Sequence, residues 1–156
     1  MLGIRFIKAQ PTSHLMQFRK GRIVREGAGL SFFYYAPTSV LVAVPVGSQD
    51  CGFMLELVTS DFQSVTVQGQ VTYRVGDPQR AARLMDFSLA GDGRTYVSED
   101  PQRLRDRVVM QVKVIIQQAV QALELKQALK ASAAIARAGQ QQLGEQAEIQ
   151  ALGLEI

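Results

Sequence analysis

A strict two-residue alternation of apolar and polar side chains runs through residues 64–75. One side carries mostly valine, with Gly69 and Tyr73 in step, and the other carries serine, threonine, glutamine and Arg74. Successive side chains of an extended strand point to opposite faces, so this pattern predicts a long strand with one buried and one wet face. Asp77 and Pro78 follow at once, and this pair predicts a capped helix start.

Other strands are predicted upstream of this one. Apolar residues on both faces of residues 40–46 predict a strand covered on both sides, and Pro45 predicts a strand end or an edge there. The glycine-rich turn at residues 27–29 predicts a hairpin that joins the Ile23-Val24 strand to a strand over residues 30–35. A polar turn at residues 47–50 then precedes a strand over residues 53–59.

Helices are predicted from Asp77 onward. The first ends near Phe87, and Asp100, followed by Pro101, caps a longer one. Apolar positions recur in it three or four residues apart, which is typical of a helix packed on a sheet. Ser132 is the predicted cap of an alanine-rich helix that runs to about residue 151. The sequence therefore predicts an α+β fold with a twisted antiparallel sheet over about residues 12–75 and helices packed on it from about residue 77.

Two stretches resemble the SPFH or band 7 domain of stomatins, prohibitins and flotillins. Residues 18–33, FRKGRIVREGAGLSFF, are similar to the opening hairpin of the family, and residues 61–78, DFQSVTVQGQVTYRVGDP, to its alternating strand and helix start. The resemblance extends from about residue 18 to residue 156. It implies one SPFH domain over residues 1–156, with a β-rich part at about 12–75 and a helical part at about 76–156.

Family members are non-enzymatic scaffolds that oligomerise on membranes. The resemblance thus implies a homo-oligomer whose further partners are the membrane surface and a membrane protease or another membrane-protein client. Gly153 fits a helix C-terminal cap, and Leu154 and Ile156 begin a new apolar alternation. In the family this position leads into further strand and a coiled coil, so we expect the native protein to continue.

Charge and aromatic residues near the N-terminus suggest how the chain could reach a membrane. Residues 1–35 hold six basic side chains against the single acid Glu26, beside the aromatic run at residues 32–35. Cations near an anionic bilayer contribute about 1 kcal/mol each, and aromatic rings favour the interface. The candidate membrane-facing residues are Leu2, Ile4, Phe6, Arg19, Lys20, Arg22, Arg25, Phe32 and Phe33. The alternative is a solvated charged face, with two of the rings in a core.

No apolar run approaches the roughly 20 residues of a spanning helix. Many relatives carry a hydrophobic hairpin or a spanning helix before the domain, and here only a few apolar residues precede it. We expect a soluble chain that attaches peripherally, at the cytoplasmic face, through the basic, aromatic edge or through acylation. The remaining alternative is no membrane attachment at all. The solvent-exposed face of the long strand carries mostly uncharged polar side chains, so it can contact another copy of the chain without strong charge repulsion. Its candidate self-association residues are Gln68, Gln70, Thr72 and Arg74.

Catalytic and metal chemistry finds little support in the sequence. His14 and Cys51 are the only residues of their types; the first is expected in an exposed polar segment and the second in a turn. A zinc site needs three or four nitrogen or sulfur ligands. We therefore expect no catalytic residue, no metal and no cofactor.

A β-rich half with basic and aromatic residues is also compatible with two other binding classes. Nucleic-acid binding through a stacking platform is disfavoured, because the aromatic residues form one consecutive run and the long strand carries only one charge on its polar face. A soluble peptide-binding or protease-adaptor module remains the alternative to the membrane scaffold.

Overall fold

The computed structural model describes residues 3–156. Strands fill the N-terminal half and helices the C-terminal half, so the predicted α+β class is confirmed. The strands are β1 (Ile4–Lys8), β2 (Ser13–Arg19), β3 (Arg22–Ala28), β4 (Ser31–Tyr35), β5 (Ser39–Pro45), β6 (Gln49–Val58), β7 (Ser64–Val75) and β8 (Leu154–Glu155). The helices are α1 (Pro78–Leu84), α2 (Asp100–Gln121), α3 (Leu125–Lys130), α4 (Ser132–Glu145) and α5 (Ala147–Ala151).

The strands form three antiparallel sheets instead of the one that the sequence predicted. β1 pairs with β4 in a two-stranded ribbon, the central sheet has the order β3-β2-β5, and the third sheet has the order β6-β7-β8. The strand region also begins at Ile4, earlier than the predicted residue 12. The charged residues Arg5 and Lys8 interrupt the apolar residues of β1, so its pattern alone did not predict a strand.

The central sheet is covered on both faces along the middle of β2 and β5, whereas β3 is exposed. Leu15, Leu41 and Ala43 project from one face and form a small core with the inner side chains of the ribbon. Met16, Val42 and Val44 project from the other face into the main core, to which the third sheet and the helices contribute. The predicted burial of both faces of β5 is confirmed for residues 41–44, whereas Val40 is exposed, and Pro45 ends that strand as predicted.

The predicted hairpin between β3 and β4 is wrong, since β3 pairs with β2 and β4 with β1. The hairpin turn is at Lys20-Gly21, where φ is +53° and +76°. Positive φ at both central residues matches the twist of a two-residue hairpin turn, and glycine adopts it readily. The glycine-rich segment before β4 instead carries the chain from the central sheet to the ribbon.

The transition from β7 to α1 matches the prediction. The Asp77 carboxylate accepts a hydrogen bond from the Arg80 backbone N–H at 3.3 Å, and Pro78 is the first helical residue. α1 ends at Leu84, before the predicted Phe87. The backbone of Met85 is already extended, and the carbonyl of Phe87 accepts a hydrogen bond from the Ala43 N–H of β5 at 3.1 Å.

The starts of the later helices differ from the prediction. Asp100 lies inside α2, and its carboxylate accepts from the Asp86 backbone N–H at 2.8 Å instead of capping the helix. Ser132 makes no capping hydrogen bond, and the extended backbone of Gln146 divides the predicted long helix into α4 and α5. Gly153 follows α5 with φ of +68°, as its predicted role requires, and β8 then pairs with the end of β7.

Candidate membrane-contact and self-association surfaces

The ribbon of β1 and β4 exposes an apolar outer face. Ile4 lies opposite Tyr35 and Phe6 opposite Phe33, and each of the four side chains is about half exposed or more, from 47% for Tyr35 to 70% for Phe33. The Phe6 and Phe33 rings contact each other, with centroids 4.9 Å apart. We call these four residues the ribbon patch.

Phe32 does not belong to this surface, although the sequence grouped it with Phe33. It is only 7% exposed and packs in the small core, because side chains alternate along β4 and the face of Phe33 is the outer one. Leu2, also a candidate, lies outside the described residues.

The predicted cations gather on the β2–β3 hairpin. Arg19 and Arg22 are directly opposite each other beside the turn, and Lys20 forms the turn itself. All three are exposed. We call Arg19, Lys20 and Arg22 the hairpin tip. Arg25 lies further from the turn, on the face of the hairpin that carries Arg19 and Arg22, and its guanidinium is 4.9 Å from the centroid of the Phe32 ring.

The ribbon patch and the hairpin tip lie at the same end of the molecule. Tyr35 ends β4, a 3₁₀ turn of three residues follows, and Ser39 then pairs with Arg19 in the central sheet. The first pair of the ribbon, Ile4 and Tyr35, is therefore one short turn away from the first row of the central sheet.

More apolar side chains extend this end. Phe18 has Ile23 and Val40 as its neighbours on either side in the sheet, and these neighbours are 40% and 52% exposed. Val24, displaced by a bulge, is 46% exposed. We call the ribbon patch and the hairpin tip, together with Ile23, Val24 and Val40, the basic-apolar end.

The predicted self-association residues lie on the exposed face of β7. Gln68 faces Met54 across the sheet and Gln70 faces Gly52. Thr72 donates a hydrogen bond of 2.7 Å to Asp50, and Arg74 forms an ion pair with Glu155 of β8. The two glutamines and Met54, which is 69% exposed, are thus the central side chains of this face, which we call the β6–β7 face.

The β6 strand forms an edge of its sheet. Its register with β7 runs without a shift from Gln49 to Val58, and Val58 is 47% exposed on the same side as Met54. A long, regular edge strand with exposed apolar side chains is a surface on which another strand can pair.

Comparison with known proteins identifies the family. The family model of the SPFH domain / Band 7 family matches residues 7–156. The chain belongs to the SPFH domain / Band 7 family. Members of this family are generally membrane-associated scaffolds and generally non-catalytic. A search of curated proteins found no match.

No helix within residues 3–156 of this SPFH domain combines the length and the apolar character needed to cross a bilayer. In the same range, no three His, Cys, Asp or Glu side chains are grouped so that they could hold a metal ion.

His14 and Cys51 lie in strands of the SPFH domain, and the sequence misplaced both. His14 is in β2, and its Nε2 lies 3.4 Å from the Glu26 carboxylate. A hydrogen bond from Gln79 of α1, followed by that from His14, lowers the pKa of Glu26, so this cluster joins the hairpin to α1. Cys51 is buried in the main core beside Tyr73. The pKa of Tyr73 is raised to about 12, mainly by burial of its hydroxyl and to a smaller extent by the neighbouring Cys51 thiol.

Some residues of the basic-apolar end were absent from the sequence-based candidates. Tyr35, Ile23, Val24 and Val40 are apolar residues of short strands, and such residues are more often buried than exposed. Their positions are set by the pairing of β4 with β1 and of β3 and β5 with β2. The only sequence signal was the two-residue alternation in the FFYY run, which places Tyr35 on the face of Phe33.

Proposed function

We propose that this SPFH domain is a non-catalytic scaffold that attaches peripherally to a membrane through its basic-apolar end and self-associates through its β6–β7 face. The observation that carries the proposal is the presence of the ribbon patch and the hairpin tip at one end of the molecule. Aromatic rings partition into the interfacial region and cations are attracted by anionic lipids, so both groups can act together at one bilayer surface.

The exposed rings supply the apolar part of this attachment. Phe6 and Phe33 are 56% and 70% exposed and touch each other, so inserting one into the interface also brings in the other. A cytoplasmic leaflet is the favoured surface, because it carries the negative potential that attracts basic side chains.

Vesicle flotation tests the attachment. The Phe6→Gln/Phe33→Gln variant removes two rings, each worth about 1.5–3 kcal/mol when buried, so we expect the vesicle partition coefficient to fall by at least about tenfold. Met110→Gln is the matched control, since Met110 is 58% exposed on α2 and outside the basic-apolar end. Equal binding by both variants and the wild type would contradict the proposed attachment.

Self-association is supported by the uncharged glutamines at the centre of the β6–β7 face and by the open edge of β6. Sedimentation velocity at increasing concentration should show association of the wild type. Gln68→Lys/Gln70→Lys adds repelling charges to both copies and should reduce it, whereas Gln118→Lys/Gln121→Lys on α2 adds the same charge elsewhere. If the two variants weaken association equally, the β6–β7 face is not the contact.

The edge of β6 also supports a second candidate function, a soluble peptide-binding or protease-adaptor module. An extended client peptide could add a strand to β6 through main-chain hydrogen bonds. Membership in the family favours the scaffold, whose clients would be membrane proteins such as a membrane protease. A saturable peptide partner bound equally well with and without vesicles, together with no flotation of the domain, would favour the adaptor.

A further inference from the structure

The cross-strand arginine pair of the hairpin tip has no counter-charge in the described part of the chain. Arg19 and Arg22 are directly opposite each other, so their side chains leave the same face of the hairpin. The ion pairs within residues 3–156 involve neither of them. Like charges directly opposite each other destabilise a strand pair, so the fold keeps an unfavourable contact here.

The one acid of this hairpin does not relieve the repulsion. Glu26 pairs in register with Met16 and therefore lies on the opposite face of the sheet from the two arginines. Its carboxylate is hydrogen-bonded by Gln79 and by His14. The arginine face is thus left with a local excess of positive charge.

The hydroxyl group of Ser39 lies beside the arginine pair. Ser39 pairs with Arg19 on the side away from Arg22, so the three residues form one row across the sheet. The side-chain amide of Gln17, which is only 2% exposed, donates to the Ser39 hydroxyl oxygen at 3.1 Å. The Ser39 hydroxyl donates no hydrogen bond within residues 3–156, so its O–H is available to an acceptor that binds beside the arginines.

We propose that Arg19, Arg22 and Ser39, with Lys20 at the turn, bind the phosphate group of an anionic phospholipid headgroup. Guanidinium groups present planar forks of donors that match phosphate oxygens, and a phosphate between two of them would turn the repulsive contact into a bridged one. This inference rests on the proposed function, since it specifies what the basic-apolar end recognises in the bilayer.

The surroundings of the row favour a lipid over a free anion. Ile23 and Val40 form the next row of the sheet, on the other face, and the ribbon patch begins one short turn away. Interfacial aromatic side chains sit at the level of the headgroups. A phosphate bound by the arginine row would therefore lie at the depth at which the ribbon patch enters the interface.

Binding to vesicles of phosphatidylcholine with and without phosphatidic acid tests the proposal. Arg19→Gln/Arg22→Gln should lower the partition coefficient on phosphatidic acid vesicles roughly thirty-fold, from the contribution of two cations near the surface. The control is Arg83→Gln/Arg137→Gln, which removes the same charge from exposed positions on α1 and α4 that make no ion pair within residues 3–156. We expect the control to bind within about threefold of the wild type.

Arg19→Lys/Arg22→Lys separates a phosphate site from a general positive charge. Lysine keeps the charge and loses the planar fork, so we expect it to restore only part of the binding. Full restoration by lysine, or an equal loss in the control variant, would overturn the phosphate site. If the wild type binds vesicles and Arg19→Gln/Arg22→Gln binds equally well, this inference fails while the proposed attachment stands. If the wild type binds no vesicle, the proposed attachment itself fails.

A measurement without membranes gives an independent readout. In low salt, Arg22→Gln should raise the Tm slightly, because it removes the like-charge contact with Arg19. Inorganic phosphate should raise the Tm of the wild type more than that of this variant. An unchanged or lower Tm of Arg22→Gln would contradict the repulsion on which the inference depends. Strong binding of inorganic phosphate without vesicle binding would contradict the assignment to a lipid.

Discussion

Gly153 is a single residue whose missing side chain allows two parts of the chain to meet. It follows α5 with φ of +68°, and an added Cβ would lie 2.8 Å from both the Cβ and the carbonyl oxygen of Asp77. We expect Gly153→Ala to lower the free energy of unfolding by about 1–3 kcal/mol, since it adds backbone strain to a steric clash. Urea denaturation measures this change.

Gly139 provides the matched control for that substitution. It lies inside α4, and the nearest atom to an added Cβ is a methyl group of Ile115 at 3.9 Å. Gly139→Ala should therefore stabilise the protein by about 0.5–1 kcal/mol through helix propensity. An unchanged or higher free energy of unfolding of Gly153→Ala would contradict the close approach of Gly153 to Asp77.

Asp92 orders the loop between α1 and α2 through its carboxylate. The Thr95 and Arg94 backbone N–H groups donate to it at 3.0 and 2.9 Å, with the Thr95 hydroxyl at 2.8 Å, and these bonds lower the pKa of Asp92 to about 2. Since the folded pKa lies below the usual value near 3.9, the stabilisation is present above pH 4 and is lost as the pH falls towards 2.

NMR can follow this titration at one residue. The amide signals of Thr95 and Arg94 should shift with a midpoint near pH 2, and Asp92→Ala should increase hydrogen exchange at Thr95 at neutral pH. A midpoint near the ordinary carboxyl value would contradict the role of these hydrogen bonds.

At the scale of the element, the side chains of β4 alternate between the small core and the exposed outer face of the ribbon. Phe32 faces the small core and Phe33 faces outward, so adjacent phenylalanines should respond differently to truncation. Phe32→Ala should cost about 3 kcal/mol or more in unfolding free energy, and Phe33→Ala about 1 kcal/mol at most, from its contact with Phe6. Thermal and chemical unfolding of the two variants checks this, and equal losses would contradict the division of β4 into an inner and an outer face.

The elements that the sequence predicted best are those determined by local patterns. β7 follows from its alternation, and the start of α1 from Asp77 and Pro78, because the side chains involved are neighbours along the chain. The pairing of β3 was mispredicted, since the two glycines at residues 27–29 were a stronger turn signal than Lys20-Gly21. The pairing of β1 with β4 and of β2 with β5 joins residues far apart in sequence, and alternation does not encode such contacts.

The same limit applies to the candidate surfaces. Composition was enough to group the cations of the hairpin tip with the aromatic run, but it could not separate Phe32 from Phe33 in exposure. The opposition of Arg19 and Arg22 also follows only from the register of β2 with β3. Residue identities thus suggested the chemistry of the basic-apolar end, and strand pairing determined its geometry.

At the scale of the whole molecule, the central sheet divides the protein into two sides. The ribbon covers one face, while α2 belongs to the main core on the other. If the ribbon patch enters a bilayer, α2 is held away from it by the thickness of the central sheet. The β6–β7 sheet contributes to the same main core as α2, so the surfaces proposed for self-association and for membrane contact are different surfaces of one protomer.

Tryptophan fluorescence can test this orientation, because the sequence contains no tryptophan. Phe33→Trp places the probe in the ribbon patch, and Met110→Trp places it on α2, at a residue that is also more than half exposed. Anionic vesicles should shift the emission of Trp at position 33 to shorter wavelength, since the indole leaves water for the interface, and leave position 110 nearly unchanged. High salt should weaken the effect by screening the hairpin tip. Similar shifts at both positions would mean that the protein has no preferred orientation on the bilayer, and a shift at position 110 alone would place the membrane on the helical side.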